Sequence, residues 1–461
     1  AVKRMVSAMA HRGPDGSGVL KIGNVTVGHA RLAIIDISSA GKQPMSNQDG
    51  NIWIVYNGEM YNFLEEKAQL ERQGYIFHSS SDTEVILNMY HAYGDAFLKR
   101  MRGIFALAIV DSRWNREKVL LARDQMGVKP LLFLKKNNTL VFASEIKALL
   151  ASQIIPKNIN PDAIRMLLTY GSILQPQSII ENVFMLRPGH KLTWTDGKVD
   201  TEEYWRVSCD ELFPIGDVPF PELVEIGKNV LFNAVKRQMI SDVPIGAFLS
   251  GGVDSSLLVS VMTRICGRKV KTFSVGFSGG SNGIDETEDA KVIAQFLETD
   301  HRTIIVGGDD VRKSIYHFAS SLDQPSVDGL NSYFVSRAAK KDLTVAISGT
   351  GGDELFAGYP WFWNMARWVK QSENHLLKYS SLKLAGQIFQ KKIFNQLLGS
   401  QFGPFIEKMR TNGSFRSRFC REYQTFGPVW CSRVLNKDIR YLTNYGVEAA
   451  IDFAESDILP A

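Results

Sequence analysis

The segment Ser250–Ser256, Ser-Gly-Gly-Val-Asp-Ser-Ser, carries the residues of this chain best suited to bind an anion. It follows an apolar run, Val243–Leu249, and precedes apolar residues at helical spacing, so the pattern predicts a strand, a loop and a helix. The N-terminus of a helix offers unpaired N–H groups and a partial positive charge, and both attract anions. Glycine lets the backbone approach the anion closely, and serine adds hydroxyl donors. An ordinary glycine-rich turn is the alternative interpretation.

A second glycine-rich loop, Ser348–Tyr359, follows another apolar run and contains Asp353. A multiply charged phosphate ligand needs a counter-ion, and Mg²⁺ is held by hard carboxylate oxygens together with phosphate oxygens. We therefore predict that Asp254 and Asp353 bind Mg²⁺. Helix capping is the alternative role for Asp254, and a turn carboxylate is the alternative for Asp353.

The elements that must position these loops alternate between helix and strand from residue 223 onward. Such alternation predicts a parallel sheet with helices on both faces, and open parallel sheets bind ligands at the C-terminal ends of their strands. Ser250 and Ser348 both follow predicted strands, so we expect the two loops to meet at that edge. Residues 361–445 are aromatic-rich and helical in pattern, and Trp361, Trp363 and Trp368 are predicted core residues.

Residues 19–205 have a different pattern, in which helical segments interrupt short β-type runs. The predicted strands are Ile52–Tyr56, Ile104–Val110, Val119–Ala122, Leu131–Leu134 and Leu140–Ala143, and the predicted helices are Glu65–Gln73 and Thr83–Tyr93. This pattern favours a layered α+β domain. Prolines and a glycine mark residues 206–222 as a linker, so we predict a first domain of residues 1–205 and a second of residues 223–461.

The composition excludes several classes of protein. The chain has 461 residues, of which 44% are hydrophobic and 22% are charged, as in ordinary globular proteins. The net charge of +5 is too small for a dedicated nucleic-acid binder, and no apolar run approaches the roughly 18 residues of a membrane span. The four cysteines form neither a disulfide framework nor a zinc motif, so we expect a reducing, cytoplasmic setting.

The two glycine loops resemble those of a known enzyme family. Ser250–Ser256 has no lysine after its glycines and looks like the pyrophosphate loop of ATP pyrophosphatases, which split ATP into AMP and pyrophosphate. With Ser348–Tyr359 it resembles the synthetase domain of glutamine-hydrolysing asparagine synthetases, and Asp285–Glu286, His301 and Asp323–Pro325 fall where that family has similar motifs. The predicted ATP-binding residues are Leu249, Ser250, Gly251, Gly252, Asp254, Ser255, Val275, Ser348 and Gly349.

The resemblance implies that the side-chain carboxylate of aspartate is adenylated, that ammonia attacks the acyl-adenylate, and that AMP leaves. It implies ATP and Mg²⁺ as cofactors and glutamine and aspartate as substrates, and it leaves room for a homodimer. The implied fold is an α+β glutaminase domain of the N-terminal-nucleophile type. An α/β domain of the ATP-pyrophosphatase type follows it, with a parallel sheet like that of adenine nucleotide alpha hydrolases.

The first 130 residues resemble the glutaminase domain of the same family. The matching motifs are His11–Gly16, Gly28–Asp36, Tyr56–Asn62, Ser81–Glu84 and Ala122–Asp124. The resemblance implies that Asn57 and Gly58 stabilise an oxyanion, through the amide and a backbone N–H. It also implies that Arg31 grips the α-carboxylate of glutamine while Glu59 and Asp82 face its α-ammonium. Taken alone, Asn57-Gly58 is also a hairpin-turn signal, and a surface ion pair is the alternative for Arg31 and Asp82.

Two departures from the family pattern bear on function. The family's nucleophile is an N-terminal cysteine, whereas this sequence starts at Ala1 and has no cysteine before Cys209. We therefore expect a fragment, short at both ends, that cannot hydrolyse glutamine as written. Thr350 stands where the family often has an acidic residue that activates the substrate carboxylate. The alternatives are an amidotransferase for another carboxylate, such as a surface-polysaccharide sugar acid, and a non-catalytic nucleotide-binding protein.

Overall fold

Two units of unlike architecture follow one another along the chain. The computed structural model describes residues 1–114, 116–206, 218–267, 269–278, 286–326, 329–356, 358–359 and 448–451. The predicted helices of residues 361–445 and the matched residue Asp285 lie outside these ranges. No helix of the described residues is long and apolar enough to cross a bilayer.

The first unit is built on antiparallel strands. Its helices are α1 (Val2–Ala8), α2 (Phe63–Arg72), α3 (Asp82–Tyr93), α4 (Ile146–Ala151) and α5 (Pro161–Tyr170). Its strands are β1 (Gly16–Ile22), β2 (Val25–Arg31), β3 (Met45–Ser46), β4 (Ile52–Met60), β5 (Gly103–Asp111), β6 (Lys118–Arg123), β7 (Leu132–Lys136), β8 (Thr139–Ala143), β9 (Phe184–Met185), β10 (His190–Thr195) and β11 (Lys198–Glu203).

These elements form four layers around three apolar cores. A six-stranded sheet has the order β11-β10-β6-β5-β4-β3, and one of its faces packs against α2 and α3. Its other face packs against the β1-β2 ribbon and the β8-β7-β9 sheet. Helices α1 and α4 cover the outside of the latter sheet. Burial on both faces explains the continuous apolar run of β5, in which the eight residues from Ile104 to Asp111 are all buried.

The length of β4 decides how Asn57-Gly58 is used. The predicted strand Ile52–Tyr56 continues to Met60, and Asn57 and Gly58 lie opposite Ala106 and Phe105 of β5. The hairpin-turn interpretation of this pair is therefore wrong. A Cβ at residue 58 would overlap the carbonyl oxygen of Ile104, so glycine is required by the close approach of β5 rather than by a turn.

The second unit has the predicted parallel sheet. Its helices are α6 (Phe220–Gln238), α7 (Val253–Cys266), α8 (Thr287–Phe296), α9 (Gly308–Ser321), α10 (Leu330–Ala339) and α11 (Gly352–Leu355). Its strands are β12 (Ile245–Phe248), β13 (Lys271–Phe277), β14 (Asp300–Val306), β15 (Val345–Ser348) and β16 (Glu448–Ile451), in the order β14-β13-β12-β15-β16. Helices α6, α7 and α8 pack on one face, and α9 and α10 pack on the other.

The start of the second unit differs slightly from the predicted linker. Helix α6 begins at Phe220, so residues 220–222 are helical, and residues 207–217 lie outside the described ranges. Pro221 falls in the first turn of α6, where a missing N–H costs no hydrogen bond. Proline therefore marks a helix start here as well as a linker.

Candidate active sites

The first candidate site is a cavity of about 470 Å³ in the first unit, and all five predicted glutamine-binding residues line it. Arg31 comes from the end of β2, residues 57–59 from β4, and Asp82 from the first turn of α3. The predicted set therefore converges on one place although its members lie on three elements. The other lining residues include Ala1, His29, Gly41, Gln43, Tyr56, Leu107, Phe142 and Ser144.

The ladder of β4 turns the Gly58 N–H towards this cavity. Phe105, opposite Gly58, directs its N–H and carbonyl oxygen to Asp124, so Gly58 and Phe105 form a non-hydrogen-bonded pair. Alternate residues of a strand direct their N–H groups to the same side. On that side, Tyr56 N–H donates to Gln43 Oε1 at 2.6 Å, and Met60 N–H donates to Asp82 Oδ2 at 2.9 Å. The Gly58 N–H lies between them.

The Asn57 amide is oriented by a residue that the sequence did not single out. Its Nδ2 donates to Ser144 Oγ at 3.4 Å, and Ser144 directly precedes Glu145, the N-cap residue of α4. An amide nitrogen has two hydrogens, so one can be fixed by Ser144 while the other serves a ligand. Ser144 lies 87 positions from Asn57, and no local pattern marks it.

Arg31 and Asp82 are both buried, so the alternative of a surface ion pair does not hold. The Arg31 guanidinium donates to the carbonyl oxygens of Ser38, at 2.8 Å, and Asp36. Arginine has five N–H donors, and these two bonds leave others for a carboxylate. Asp36 has a φ of 53°, and its own carboxylate accepts hydrogen bonds from Ser38 and Ser80, which hold the loop in this left-handed conformation.

Two neighbouring carboxylates give the cavity its electrostatic character. Burial raises the pKa of Asp82 to about 6, although the N–H groups of Met60 and Thr83 oppose the shift. Burial and the Asp82 carboxylate raise the pKa of Glu59, and Lys129 opposes that shift. Burial also lowers the pKa of Lys129 to about 7. A bound ammonium group would stabilise both carboxylates in their charged form.

His29 contributes a neutral ring to the same wall. The carbonyl oxygen of Tyr56 can only accept a hydrogen bond, so the His29 Nε2 that lies 3.0 Å from it carries the proton. Burial lowers the pKa of His29 to about 4, and the nearby Arg31 acts in the same direction. His29 therefore ties β2 to β4 and adds no charge beside Arg31.

The second candidate site lies where β12 and β15 end. Ala247 pairs with Ile347 in register, so the loops after Phe248 and Ser348 leave the sheet side by side, as predicted. A Cβ at residue 349 would lie 3.0 Å from the N atom of Ser255, and one at residue 352 would overlap the Asp254 carboxylate. The two glycine loops therefore pack against each other through positions that tolerate no side chain.

Hydroxyl groups fix the first of these loops internally. Ser250 Oγ lies 3.0 Å from Ser255 Oγ and accepts the Gly252 N–H at 3.3 Å. Ser256 Oγ donates to the Gly252 carbonyl oxygen at 2.6 Å. Gly251 has a φ of 89°, and a Cβ there would lie 2.8 Å from Asp289 Cβ. These contacts fix the loop at the N-terminus of α7, whose first N–H groups suit an anion.

The candidate metal ligands stand close enough to repel each other. Burial and then the Asp353 carboxylate raise the pKa of Asp254, and burial also raises the pKa of Glu354. Asp254 lies inside the first turn of α7, whose N-cap is Gly252, so it is not a helix cap. In the described part of the chain, no three His, Cys, Asp or Glu side chains are arranged to hold a metal. Two carboxylates completed by phosphate oxygens fit Mg²⁺.

The remaining predicted ATP-binding residues differ in exposure. Leu249 is buried, and its N–H donates to the Phe273 carbonyl oxygen at 2.9 Å, while Val275 is partly exposed on β13. Thr350 lies beside Ser348, with 2.7 Å between their hydroxyl oxygens. At the position of residue 350, the second site therefore has a pair of neutral hydroxyl groups rather than a carboxylate.

Comparison with known proteins assigns each unit to a family. A glutamine amidotransferase domain family matches residues 1–205, and the asparagine synthase family matches residues 227–458. A putative glutamine-hydrolysing asparagine synthetase 2 of Methanocaldococcus jannaschii is 38% identical over an alignment of 383 residues that covers 78% of this chain and 72% of the relative. The chain belongs to the asparagine synthetase family.

This member of the asparagine synthetase family also matches relatives that are longer than the chain. Asparagine synthetase (glutamine-hydrolysing) 1 of Bacillus subtilis is 36% identical over 78% of this chain, which spans only 55% of that relative. Among solved structures, a glutamine phosphoribosylpyrophosphate amidotransferase from B. subtilis matches 75% of this chain and 78% of its own, at 16% identity and a TM-score of 0.34.

Proposed function

We propose that the full-length protein is a glutamine-hydrolysing asparagine synthetase. In this proposal ATP activates the side-chain carboxylate of aspartate, and ammonia released from glutamine converts the acyl-adenylate to asparagine, with AMP and pyrophosphate as the other products. The observation that carries the proposal is the juxtaposition of the two glycine loops, which packs Gly352 against the Asp254 carboxylate. A site with close carboxylates and a helix N-terminus suits a metal-bound polyphosphate.

In the first unit, the proposed roles follow from charge and hydrogen-bond direction. Arg31 would bind the α-carboxylate of glutamine, and Glu59 with Asp82 would bind its α-ammonium. The Asn57 amide and the Gly58 N–H would donate to the oxygen that gains charge when the side-chain amide is attacked. No cysteine lies among residues 1–205, so this part of the chain provides binding and charge stabilisation rather than the thiol nucleophile.

In the second unit, the loop Ser250–Gly252 and the N-terminus of α7 would receive the phosphates. Asp254 and Asp353 would hold Mg²⁺, which supplies charge neutralisation for the departing pyrophosphate. Leu249 and Val275 would contact the adenine, and Ser348 with Gly349 would lie beside the nucleotide. Thr350 cannot remove a proton as a carboxylate does, so it would contribute a hydrogen bond only.

Pyrophosphate release by the full-length protein tests this proposal. With ATP, Mg²⁺, ammonia and aspartate, we expect one pyrophosphate for each asparagine formed. Release with a different carboxylate, and none with aspartate, would keep the chemistry but reject the acceptor. If no carboxylate supports release, the second unit does not catalyse adenylation and the proposal fails.

A further inference from the structure

A carboxylate of the second unit holds the loop that receives Arg31. Asp242 lies between α6 and β12, and its Oδ2 accepts the Asp36 N–H at 2.8 Å. Its own N–H donates to the Ile34 carbonyl oxygen at 3.0 Å. Asp36 and Ser38 supply the two carbonyl oxygens to which Arg31 donates. Asp242 therefore grips the same short stretch of backbone that fixes the Arg31 guanidinium.

A second carboxylate of the second unit holds the segment that orients Asn57. Asp323 follows α9, and its two oxygens accept the N–H groups of Ile146, at 2.8 Å, and Lys147, at 3.2 Å. These are the first two residues of α4, and Ser144, two residues earlier, accepts from Asn57 Nδ2. The two ends of this four-residue segment thus contact the second unit and the glutamine cavity.

The segment between these contacts has little freedom to adjust. Glu145 is buried, and its Oε1 accepts from Arg12 Nη1 at 2.9 Å. His11 Nε2 and Lys147 Nζ each lie 3.2 Å from Glu145 Oε2. Because its central side chain is anchored on several sides, a shift at one end of the segment is expected to be passed to the other end rather than absorbed.

We propose that Asp242 and Asp323 are positioning residues for glutamine hydrolysis, contributed by the ATP-binding unit. Asp242 sets the side of the cavity that binds the substrate, through Arg31. Asp323 sets the side that stabilises the oxyanion, through Ser144 and Asn57. Docking of the second unit thereby completes the first site. This inference rests on the proposed function, since it deepens the account of the same glutamine site.

The two carboxylates have separable kinetic signatures in the full-length protein. Asp242→Ala should raise the KM for glutamine about tenfold with little change in kcat, because it loosens groups that bind the ground state. Asp323→Ala should lower the kcat of glutamine hydrolysis about tenfold with little change in KM, a smaller loss than the hundredfold or more expected when an oxyanion donor is removed. Asp323→Asn keeps one acceptor oxygen and should fall between the parent and Asp323→Ala.

Two matched controls separate positioning from general docking. Gln324 also joins the units, since its Oε1 accepts the Ile179 N–H at 3.0 Å, but it does not hold the segment at α4. Gln324→Ala should therefore keep the parental kcat and KM. Asp309→Ala, at the exposed start of α9, should do the same. Both control variants should also retain ammonia-dependent synthesis and the parental thermal unfolding midpoint.

Ser144→Ala tests the role of Asp323 with a second variant. Ser144 lies in the first unit, and the substitution removes only a hydroxyl group. If Ser144 and Asp323 act in series, the double variant should have the same kcat as the less active of the two single variants. Its kcat should not be lowered by the two factors multiplied together. Multiplied losses would overturn the inference, as would unchanged glutamine constants in both aspartate variants or equal loss in Gln324→Ala. A parent protein that fails to hydrolyse glutamine would instead contradict the proposed function itself.

Discussion

At the scale of single residues, the candidate glutamine site depends on one side of β4. Three alternate N–H groups point the same way, and those of Tyr56 and Met60 are occupied by Gln43 and Asp82. This leaves the Gly58 N–H, beside the Asn57 amide, aimed at the cavity. Asn57 and Gly58 could be predicted from their motif, but Gln43 could not, because its role appears only once the ladder direction is known.

Replacement of the Asn57 amide should separate the two nitrogen sources. In the full-length protein, Asn57→Ala should lower glutamine-dependent asparagine formation about a hundredfold to a thousandfold, as loss of an oxyanion donor does. Ammonia-dependent formation should stay at the parental rate, since ammonia bypasses that site. The control is Gln48→Ala, which removes an exposed amide side chain between β3 and β4. Equal loss with both nitrogen sources would contradict the assignment.

The paired carboxylates predict how glutamine affinity depends on pH. Burial raises the pKa of Asp82 to about 6 and raises that of Glu59 as well, so acid protonates the groups proposed to bind the α-ammonium. The KM for glutamine should therefore rise as the pH falls through about 6, while kcat changes less. A glutamine analogue without the α-amino group should lack this dependence. A KM for glutamine that does not change between about pH 5 and about pH 7 would contradict the assignment.

At the scale of elements, the close approach of β4 and β5 sets the shape of the first site. The sequence predicted both strands, but it placed the end of β4 four residues early because Asn-Gly is typical of a turn. Pairing with a fully buried neighbour overrode that local preference. Strands β1 and β2 were not predicted individually, since their polar residues give only a weak alternation.

Gly58→Ala tests whether this approach requires glycine. A Cβ would overlap the Ile104 carbonyl oxygen, and relieving such overpacking typically costs about 1–3 kcal/mol. We expect a lower thermal unfolding midpoint together with loss of glutamine hydrolysis. Gly16→Ala is the matched control, because a Cβ there meets nothing within 4 Å. An unfolding midpoint equal to that of the parent would show that β4 and β5 can separate freely.

At the scale of the whole molecule, the order of the two units could be predicted from the change in periodicity along the chain. The parallel sheet followed from alternating helices and strands, and its register brings the two glycine loops together. The contacts between the units could not be predicted. Asp323 lies 177 positions from Ile146, and no local pattern specifies a bond between residues so far apart.

The division of labour between the units gives the reciprocal prediction. Asp254→Ala should abolish pyrophosphate release, because the remaining carboxylate, Asp353, cannot hold Mg²⁺ and the phosphates alone. Glutamine hydrolysis should stay within about threefold of the parent, since the first cavity is untouched. Glu288→Ala, an exposed change at the start of α8, serves as the control. Pyrophosphate release that survives Asp254→Ala would refute the metal assignment.

Transfer of an oxygen isotope tests the central claim, adenylation of a carboxylate, most directly. The full-length protein is given ATP, Mg²⁺, ammonia and aspartate whose side-chain carboxylate carries a heavy-oxygen label, and the AMP is analysed by mass spectrometry. The acyl-adenylate joins a carboxylate oxygen to the α-phosphate, and that oxygen leaves with AMP when ammonia attacks. We predict AMP with one labelled oxygen for each asparagine formed. Unlabelled AMP, or ADP and phosphate as products, would contradict the account.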